Sequence, residues 1–250
     1  MTPLLLALLL ATPDTVRAPR WNASLTYGFE AFTRTQPTWH AANVQVGRRF
    51  THGTVIGEVL VARRFDRTDQ GLAVDAYRTL WHGAYGNLRT QVVPGADVLP
   101  RLDVSAEFYQ SVGGGFEMSG GYRRMQYRGS RADLWTLRAA KYLPHWYLRA
   151  RTIVVPHGGT TALSAAVAAR RYLATDDEYL DVQAGAGEEI VTVGTGATGP
   201  VVEPRRNRVL TATLRKTLTG ALGLSAGATY NATGGLPSRR GLSAGLTYRW

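Results

Sequence analysis

Acidic and basic side chains recur on one face of several alternating segments of this sequence. They are Asp103, Glu107, Glu117, Arg123, Arg149, Arg151, Asp181 and Arg215. On neighbouring strands such groups can pair into ladders, or they can line a wetted passage. The chain has 29 Lys and Arg against 18 Asp and Glu, a net charge of +11, so arginine is in excess. We predict that these eight side chains face a lumen.

The histidines give little support for catalysis. His52, His82 and His145 fall in predicted turns, and His40 and His157 fall at the opposite strand ends. A hydrolytic site needs a histidine beside a nucleophile and a paired acid, and no Ser-x-Gly elbow or matching acid is visible. A lipid-modifying enzyme is therefore the least favoured reading, and we predict no enzyme.

No cofactor or metal site is predicted either. The chain has no cysteine, no His-x-x-x-His spacing and no acidic loop with a full ligand count. The glycine-rich stretch Val193 to Pro200 does not join a strand to a helix, so we expect a flexible loop and not a phosphate cradle.

The elements that carry these residues read as β-strands throughout. With 44% hydrophobic residues and no apolar run of about 20 residues, the chain of 250 residues fits one folded unit that is not a helical multi-pass protein. Alternating segments predict an all-β, transmembrane, antiparallel up-and-down β-barrel of 14 strands, with 12 as the alternative. The predicted strands lie near 21–32, 39–50, 54–65, 71–82, 84–93, 101–110, 116–127, 132–142, 146–155, 161–172, 178–188, 208–218, 221–231 and 241–250.

One face of these strands is almost free of charge and is predicted to meet lipid. It includes Val44, Val46, Val59, Val61, Leu148, Leu163, Leu180 and the alternate residues of 102–108 and 222–228. Aromatic residues at its strand ends suit interfacial girdles, namely Trp21, Phe50, Phe65, Phe108, Phe116, Trp146, Tyr230, Tyr248 and Trp250. A soluble barrel would instead fill its interior with apolar side chains.

Connection lengths predict the orientation. Tight turns alternate with longer loops, including Val93 to Pro100, Glu189 to Asn207 and Ala232 to Arg240. Outer-membrane barrels have short turns on the periplasmic side, so we expect both termini to be periplasmic. Residues 1–18 have an apolar run and a small-residue ending typical of a signal peptide, which leaves 19–250 as the barrel domain.

The final octet, Ser243 to Trp250, has polar, glycine and aromatic residues in a fixed spacing. With Ser243, Gly245, Tyr248 and Trp250 in these positions, it resembles the targeting signal that the barrel assembly machinery of Gram-negative outer membranes reads. We therefore expect that machinery, outer-membrane lipid and lipopolysaccharide as partners.

The stretch from Asp103 to Tyr172 carries a more specific likeness. Its segment AEFYQSVGGGFEMSGGYRRMQY contains Glu107, the turn 113–115 and Gly120-Gly121-Tyr122-Arg123, and Arg170-Arg171-Tyr172 follows. It resembles the YaiO-type family of outer-membrane β-barrels. The resemblance implies a location in a Gram-negative-type envelope and a barrel fold, and it implies no defined activity.

Two functions remain open at this stage. The first is a porin-like transport or export conduit whose arginine-rich lumen, with aromatic walls such as Tyr77, Trp81 and Tyr147, favours anionic solutes or polysaccharide. The second is a plugged barrel with a structural or surface-interaction role. The plugged barrel gains if the carboxylates Asp103, Glu107, Glu117 and Asp181 each face an arginine. Despite a pI of about 10.3, no nucleic-acid partner is expected, because no basic helix or nucleic-acid motif is present.

Overall fold

The computed structural model describes residues 20–34, 36–157, 160–196 and 199–250, and it describes no side chains at 157, 160, 189–196 and 199–204. The predicted signal peptide, 1–18, lies outside the described residues. Within the described ranges, no helix is long and apolar enough to cross a membrane.

Fourteen antiparallel strands form one closed barrel in which each strand pairs with its sequence neighbours. They are β1 (Trp21–Phe32), β2 (Trp39–Phe50), β3 (Gly53–Arg64), β4 (Arg67–Trp81), β5 (Ala84–Val92), β6 (Leu102–Gly113), β7 (Phe116–Gln126), β8 (Arg131–Leu143), β9 (Trp146–His157), β10 (Thr160–Tyr172), β11 (Tyr179–Gly196), β12 (Gly199–Thr217), β13 (Leu222–Thr233) and β14 (Arg239–Arg249). The predicted fold and the count of fourteen are confirmed, and the alternative of twelve is wrong.

The last strand closes the barrel against the first. The register runs from Asn22 opposite Arg249 to Phe32 opposite Arg239. The Trp21 N–H donates to the Trp250 carbonyl at 3.0 Å, and the Trp250 N–H donates back to the Trp21 carbonyl at 3.1 Å. Closure therefore leaves no unpaired edge strand, which a membrane interior would not tolerate.

The outer face of the barrel is apolar, as the alternation predicts. Leu137 and Leu72 are 66% and 62% exposed, and the predicted lipid-facing residues Val44, Val59 and Leu163 are exposed with them. A continuous belt of exposed large apolar side chains is unfavourable in water and is the normal outer surface of a membrane barrel.

One predicted girdle residue is placed differently. Phe65 lies in the turn between β3 and β4 with a φ of 50°, and its ring packs edge-on against the buried Trp39 at 4.9 Å between centroids. The left-handed backbone at Phe65 turns its side chain off the strand's alternation and toward the interior.

The β11–β12 hairpin corrects two expectations. Residues 189–207 were expected to form a long loop and Val193 to Pro200 a flexible one, but strand pairing continues out to Gly196 opposite Gly199, with a bulge between Thr192 and Gly194. Backbone hydrogen bonds do not require apolar side chains, so the ladder continues where the lipid-facing pattern stops. These strands have 18 and 19 residues, against the roughly 9–11 needed to cross a bilayer.

We call the end that holds both termini the termini end, and the opposite end the mouth. Turns at the termini end span 51–52, 82–83, 114–115, 144–145, 173–178 and 218–221. Described loops at the mouth include 93–101, 127–130 and 234–238, whereas β3 and β4 are joined there by only Phe65 and Asp66. The excess length at the mouth is thus concentrated in a few loops, above all 93–101.

Candidate functional site in the barrel interior

The inner face of β3 to β11 is crowded with charged and aromatic side chains, which we call the charged wall. Arg89 shows its character, because this guanidinium bridges Glu58 at 2.9 Å and Asp75 at 3.7 Å. All three side chains are largely buried, so the positive charge is balanced within the barrel.

Two predicted lumen carboxylates on β6 have arginine partners. Asp103 accepts from Arg123 Nε at 2.8 Å and from Nη2 at 2.5 Å, a bidentate pair. Glu107 accepts from the Ser119 hydroxyl at 2.6 Å and pairs with Arg138 at 3.4 Å. Both carboxylates therefore meet an arginine on a neighbouring or next-but-one strand.

Asp181 on β11 joins two arginines. Its carboxylate oxygens accept from Arg149 Nη2 and Arg170 Nε, each at 2.9 Å. The Arg170 guanidinium also stacks over the Tyr179 ring at 4.1 Å. One carboxylate here compensates two buried cations.

Glu117 and Arg215 differ from this pattern. Glu117 is buried and accepts from the Tyr85 hydroxyl at 3.2 Å, and no described cation lies within ion-pair distance of it. Arg215 is only 5% exposed, and among the described residues no carboxylate lies within ion-pair distance of its guanidinium. Arg215 is therefore a cation of the interior without a direct counter-charge in the described part of the chain.

The remaining predicted lumen residue, Arg151, lines a cavity at the mouth. Sequence reasoning left out Glu58, Asp75, Arg89, Arg138 and Arg170, which complete the charged wall. The signal for Glu58 was present, because it alternates with the lipid-facing Val59 and Val61. Arg138 was missed because the alternation of Ala132 to Tyr142 is ambiguous in phase.

The opposite wall consists of small, uncharged residues and is the more open one. We call it the small-residue wall, and it comprises the inward positions Ser24, Thr26 and Gly28 of β1, Gly223, Ser225, Gly227 and Thr229 of β13, and Gly241, Ser243, Gly245 and Thr247 of β14. Ser243 is exposed although it lies on the inner face, and Ser225 and Thr229 are half-exposed. Solvent therefore reaches this wall within the barrel.

The β5–β6 loop, 93–101, folds inward over part of the mouth. Asp69 on the inner face of β4 accepts from the backbone N–H groups of Asp97, Val98 and Leu99 at 2.9, 2.9 and 2.7 Å. Val93 and Val98 of the loop are themselves buried. The Asp69 carboxylate thus accepts from three consecutive N–H groups of the loop, and the loop's Asp97 also lies 3.9 Å from both Arg67 and Arg128.

The rest of the mouth holds a cavity of about 370 Å³, which we call the mouth cavity. Its lining includes the guanidinium groups of Arg64, Arg123, Arg151 and Arg239, together with aromatic and aliphatic side chains. In the described part of this lining, Glu188 is the acidic residue.

The predicted assembly residues lie on both faces of β14. Tyr248 and Trp250 point outward, each 52% exposed, and the rings of Trp21 and Trp250 stack with centroids 6.4 Å apart. Ser243 and Gly245 point inward, where a Cβ at Gly245 would come within 2.7 Å of the Ser225 hydroxyl. Their role as a targeting signal stays a prediction.

A polar network at the termini end joins the β10–β11 turn to the end of β12. Glu178 in the β10–β11 turn accepts from Lys216 Nζ at 2.7 Å and from the Thr217 N–H at 3.2 Å. The Lys216 hydrogen bond holds the pKa of this carboxyl below its ordinary value. The network therefore stabilises the fold above the carboxyl's ordinary pKa and weakens as the pH falls through the lowered one.

One histidine, His40, lies on the outer face of the barrel. The His40 Nδ1 hydrogen-bonds the exposed Tyr27 hydroxyl at 2.8 Å, on the outer face. Over the described residues, no three His, Cys, Asp or Glu side chains could hold a metal ion.

Solved structures with the same fold are outer-membrane barrels. The CymD monoaromatic hydrocarbon channel superposes with a TM-score of 0.62 at 5% identity, over 94% of this chain and 89% of that one. The outer membrane protein Omp33 of Acinetobacter baumannii gives 0.56 at 10% identity, over 93% and 99%. A bacterial polysaccharide outer membrane secretin gives 0.55 at 7% identity, over 94% and 99%. At these identities the likeness establishes the fold.

The family is established by sequence. No curated protein matches the chain. The model of the YaiO membrane beta barrel domain matches residues 21–189, which begins with β1 and covers more than half of the chain. With its closed barrel, apolar outer belt and matching domain model, the chain is an outer-membrane β-barrel that belongs to the YaiO membrane beta barrel family.

Proposed function

We propose that the protein is a narrow passive conduit of the outer membrane whose arginine-biased lumen favours anionic solutes. The observation that carries the proposal is the division of the interior into two walls. Charges are concentrated and mostly compensated on one wall, while Gly, Ser and Thr on the other leave solvent-accessible space beside Ser243.

The anion preference is supported by the position of Arg215. A Cβ at Gly223, on the small-residue wall, would lie 3.9 Å from Arg215 Nε and Nη2, so the guanidinium borders the open side of the barrel. A cation beside a hydrated passage, with no direct counter-charge among the described residues, lowers the energy of a passing anion.

A small solute fits the described space better than a polymer. Side chains of the charged wall occupy one side of the interior, and the mouth cavity has a volume of about 370 Å³. Acidic polysaccharide is the larger alternative cargo. In this proposal both termini face the periplasm, and lipid, lipopolysaccharide and the barrel assembly machinery are the partners.

A plugged barrel with a structural or surface-interaction role is the second candidate. It is favoured by the pairing of Asp103, Glu107 and Asp181 with arginines, which can hold the interior together without any transport. Glu117 does not complete this pattern, because its direct partner is the Tyr85 hydroxyl. The loop 93–101 folds inward and further narrows the mouth.

Single-channel conductance in a planar bilayer tests the conduit. The wild-type barrel is expected to conduct and, in a salt gradient, to show a reversal potential of anion preference. Arg215→Gln should shift this potential toward cations without unfolding the barrel, because it removes a buried charge that forms no ion pair with a described carboxylate.

Arg171→Gln is the matched control, since it removes the same charge from the outer face, where Arg171 lies over the Trp146 ring. It should leave the reversal potential unchanged. Absence of conductance would favour the plugged barrel, and cation preference in the wild type would refute the arginine bias.

A further inference from the structure

The mouth cavity combines positive charge with an apolar lining. It lies between the ends of β1 to β3 and the ends of β7 to β10, and residues at the ends of β13 and β14 complete it. We propose that it is a binding site for a small organic anion with an apolar body, of the class of aromatic or cycloaliphatic carboxylates.

Two arginine side chains lie against Trp39 at the cavity. The guanidinium groups of Arg64 and Arg239 lie over the Trp39 ring, 4.8 Å and 4.7 Å from its centroid. Glu30 pairs with Arg239 at 3.2 Å, and Arg64 forms no ion pair with a described carboxylate. Two cations therefore share one indole and one carboxylate, which leaves Arg64 available to an anionic group.

Other charges of the cavity do not remove this surplus. Arg123 is neutralised by Asp103 in a bidentate pair. Among the described lining residues, the acidic side chain of Glu188 faces the four guanidinium groups of Arg64, Arg123, Arg151 and Arg239. A carboxylate that enters the cavity therefore meets more positive than negative charge.

The remaining surface defines the body of the ligand. Apolar and aromatic side chains predominate in the described lining, namely Phe32, Trp39, Phe65, Met125, Tyr127, Leu134, Ile153, Val155, Leu236 and Pro237. The uncharged hydrogen-bonding side chains of the described lining are Gln36, Ser164 and Thr233 besides the tyrosine. A sugar acid would leave several hydroxyl groups without partners, whereas a ring or short alkyl body would lose unfavourable contact with water.

The volume is in the range of a ligand site. Small-molecule pockets span about 300–1,000 Å³, and the cavity of about 370 Å³ lies at the lower end. A solute of about ten non-hydrogen atoms is therefore the expected size, with a dissociation constant in the millimolar range. Binding does not require conduction, so this inference goes beyond the proposed function and is tested separately from it.

The experiment measures binding of 4-fluorobenzoate by fluorine NMR to the full barrel in lipid nanodiscs, with 4-fluorobenzyl alcohol as the neutral analogue. The carboxylate should bind about tenfold more tightly than the alcohol, because only the carboxylate can accept a hydrogen bond between two charged groups from Arg64. Arg64→Gln should weaken carboxylate binding about tenfold and leave the alcohol unaffected.

Arg63→Gln is the matched control, because Arg63 is the adjacent residue, is 60% exposed and pairs with Asp66 outside the cavity. It should leave both affinities unchanged. Heat-modifiable gel mobility verifies that each variant is folded. The proposal is overturned if the carboxylate does not bind, if Arg63→Gln and Arg64→Gln have equal effects, or if galacturonate displaces 4-fluorobenzoate more effectively than benzoate does.

Discussion

At the scale of single residues, the interior contains arginines that share carboxylates. Asp181 is the sharpest case, because its side chain is 11% exposed and holds both Arg149 and Arg170. Removing one partner of a buried ion pair is costly, since the remaining charges lose their compensation while still excluded from water.

We predict that Asp181→Asn lowers the free energy of unfolding by about 3 kcal/mol, as expected for breaking a buried pair. Urea unfolding in lipid vesicles measures it. Asp66→Asn is the control, because the Arg63–Asp66 pair is largely exposed and should contribute less than about 1 kcal/mol. Equal losses in the two variants would show that the Asp181 cluster is hydrated rather than buried.

The sequence predicted the face of these residues better than their partners. Alternation assigns Asp103 and Arg123 to the same face, but the pairing depends on strand register, which alternation leaves open to shifts of two residues. In the structure Arg123 lies opposite Ser105, and its guanidinium reaches back to Asp103. Such diagonal contacts depend on the strand register. The sequence therefore predicts that these residues share the inner face, but it does not predict which residues form ion pairs.

At the scale of elements, the mouth is shaped by a loop that the sequence located but could not orient. The loop 93–101 was expected as one of the longer connections, and its inward fold depends on Asp69, 28 residues before Asp97. A carboxylate that captures consecutive backbone N–H groups leaves no local pattern in the loop itself. The extended β11–β12 hairpin was missed for a similar reason, since its pairing is made by the backbone.

We predict that Asp69→Asn frees this loop. The asparagine amide keeps one carbonyl acceptor but loses the charge and the second acceptor. The free energy of loop opening should therefore fall by about 2 kcal/mol, which corresponds to a hydrogen-exchange rate about thirtyfold higher. Exchange at Asp97, Val98 and Leu99, followed by mass spectrometry, measures the change.

Asp66→Asn again provides the control, because Asp66 lies in the neighbouring turn and pairs with Arg63 rather than with the loop. Its loop amides should exchange at the wild-type rate. Unchanged exchange in Asp69→Asn would mean that burial of Val93 and Val98 holds the loop without the carboxylate.

At the scale of the whole molecule, the barrel is closed only when its last strand, β14, pairs with its first strand, β1. The closing seam holds eleven register pairs from Asn22 to Phe32, and the two terminal tryptophans finish it with reciprocal backbone hydrogen bonds. The outward rings at this seam stack on one another, Tyr248 on Trp250 and Trp250 on Trp21, as expected for an aromatic girdle.

We predict that deletion of Trp250 lowers the amount of folded, membrane-inserted protein several-fold without changing the conductance of the molecules that do insert. The deletion removes both the last backbone pair of the seam and the terminal aromatic of the predicted assembly signal.

Trp135→Ala is the matched control, because Trp135 is an outward-facing tryptophan of β8, 55% exposed, and lies far from the seam. Quantifying the heat-modifiable band in outer-membrane fractions separates the two variants. An equal decrease in both would assign the loss to lipid contact in general, and normal insertion with altered conductance would place Trp250 in the transport path instead of in assembly.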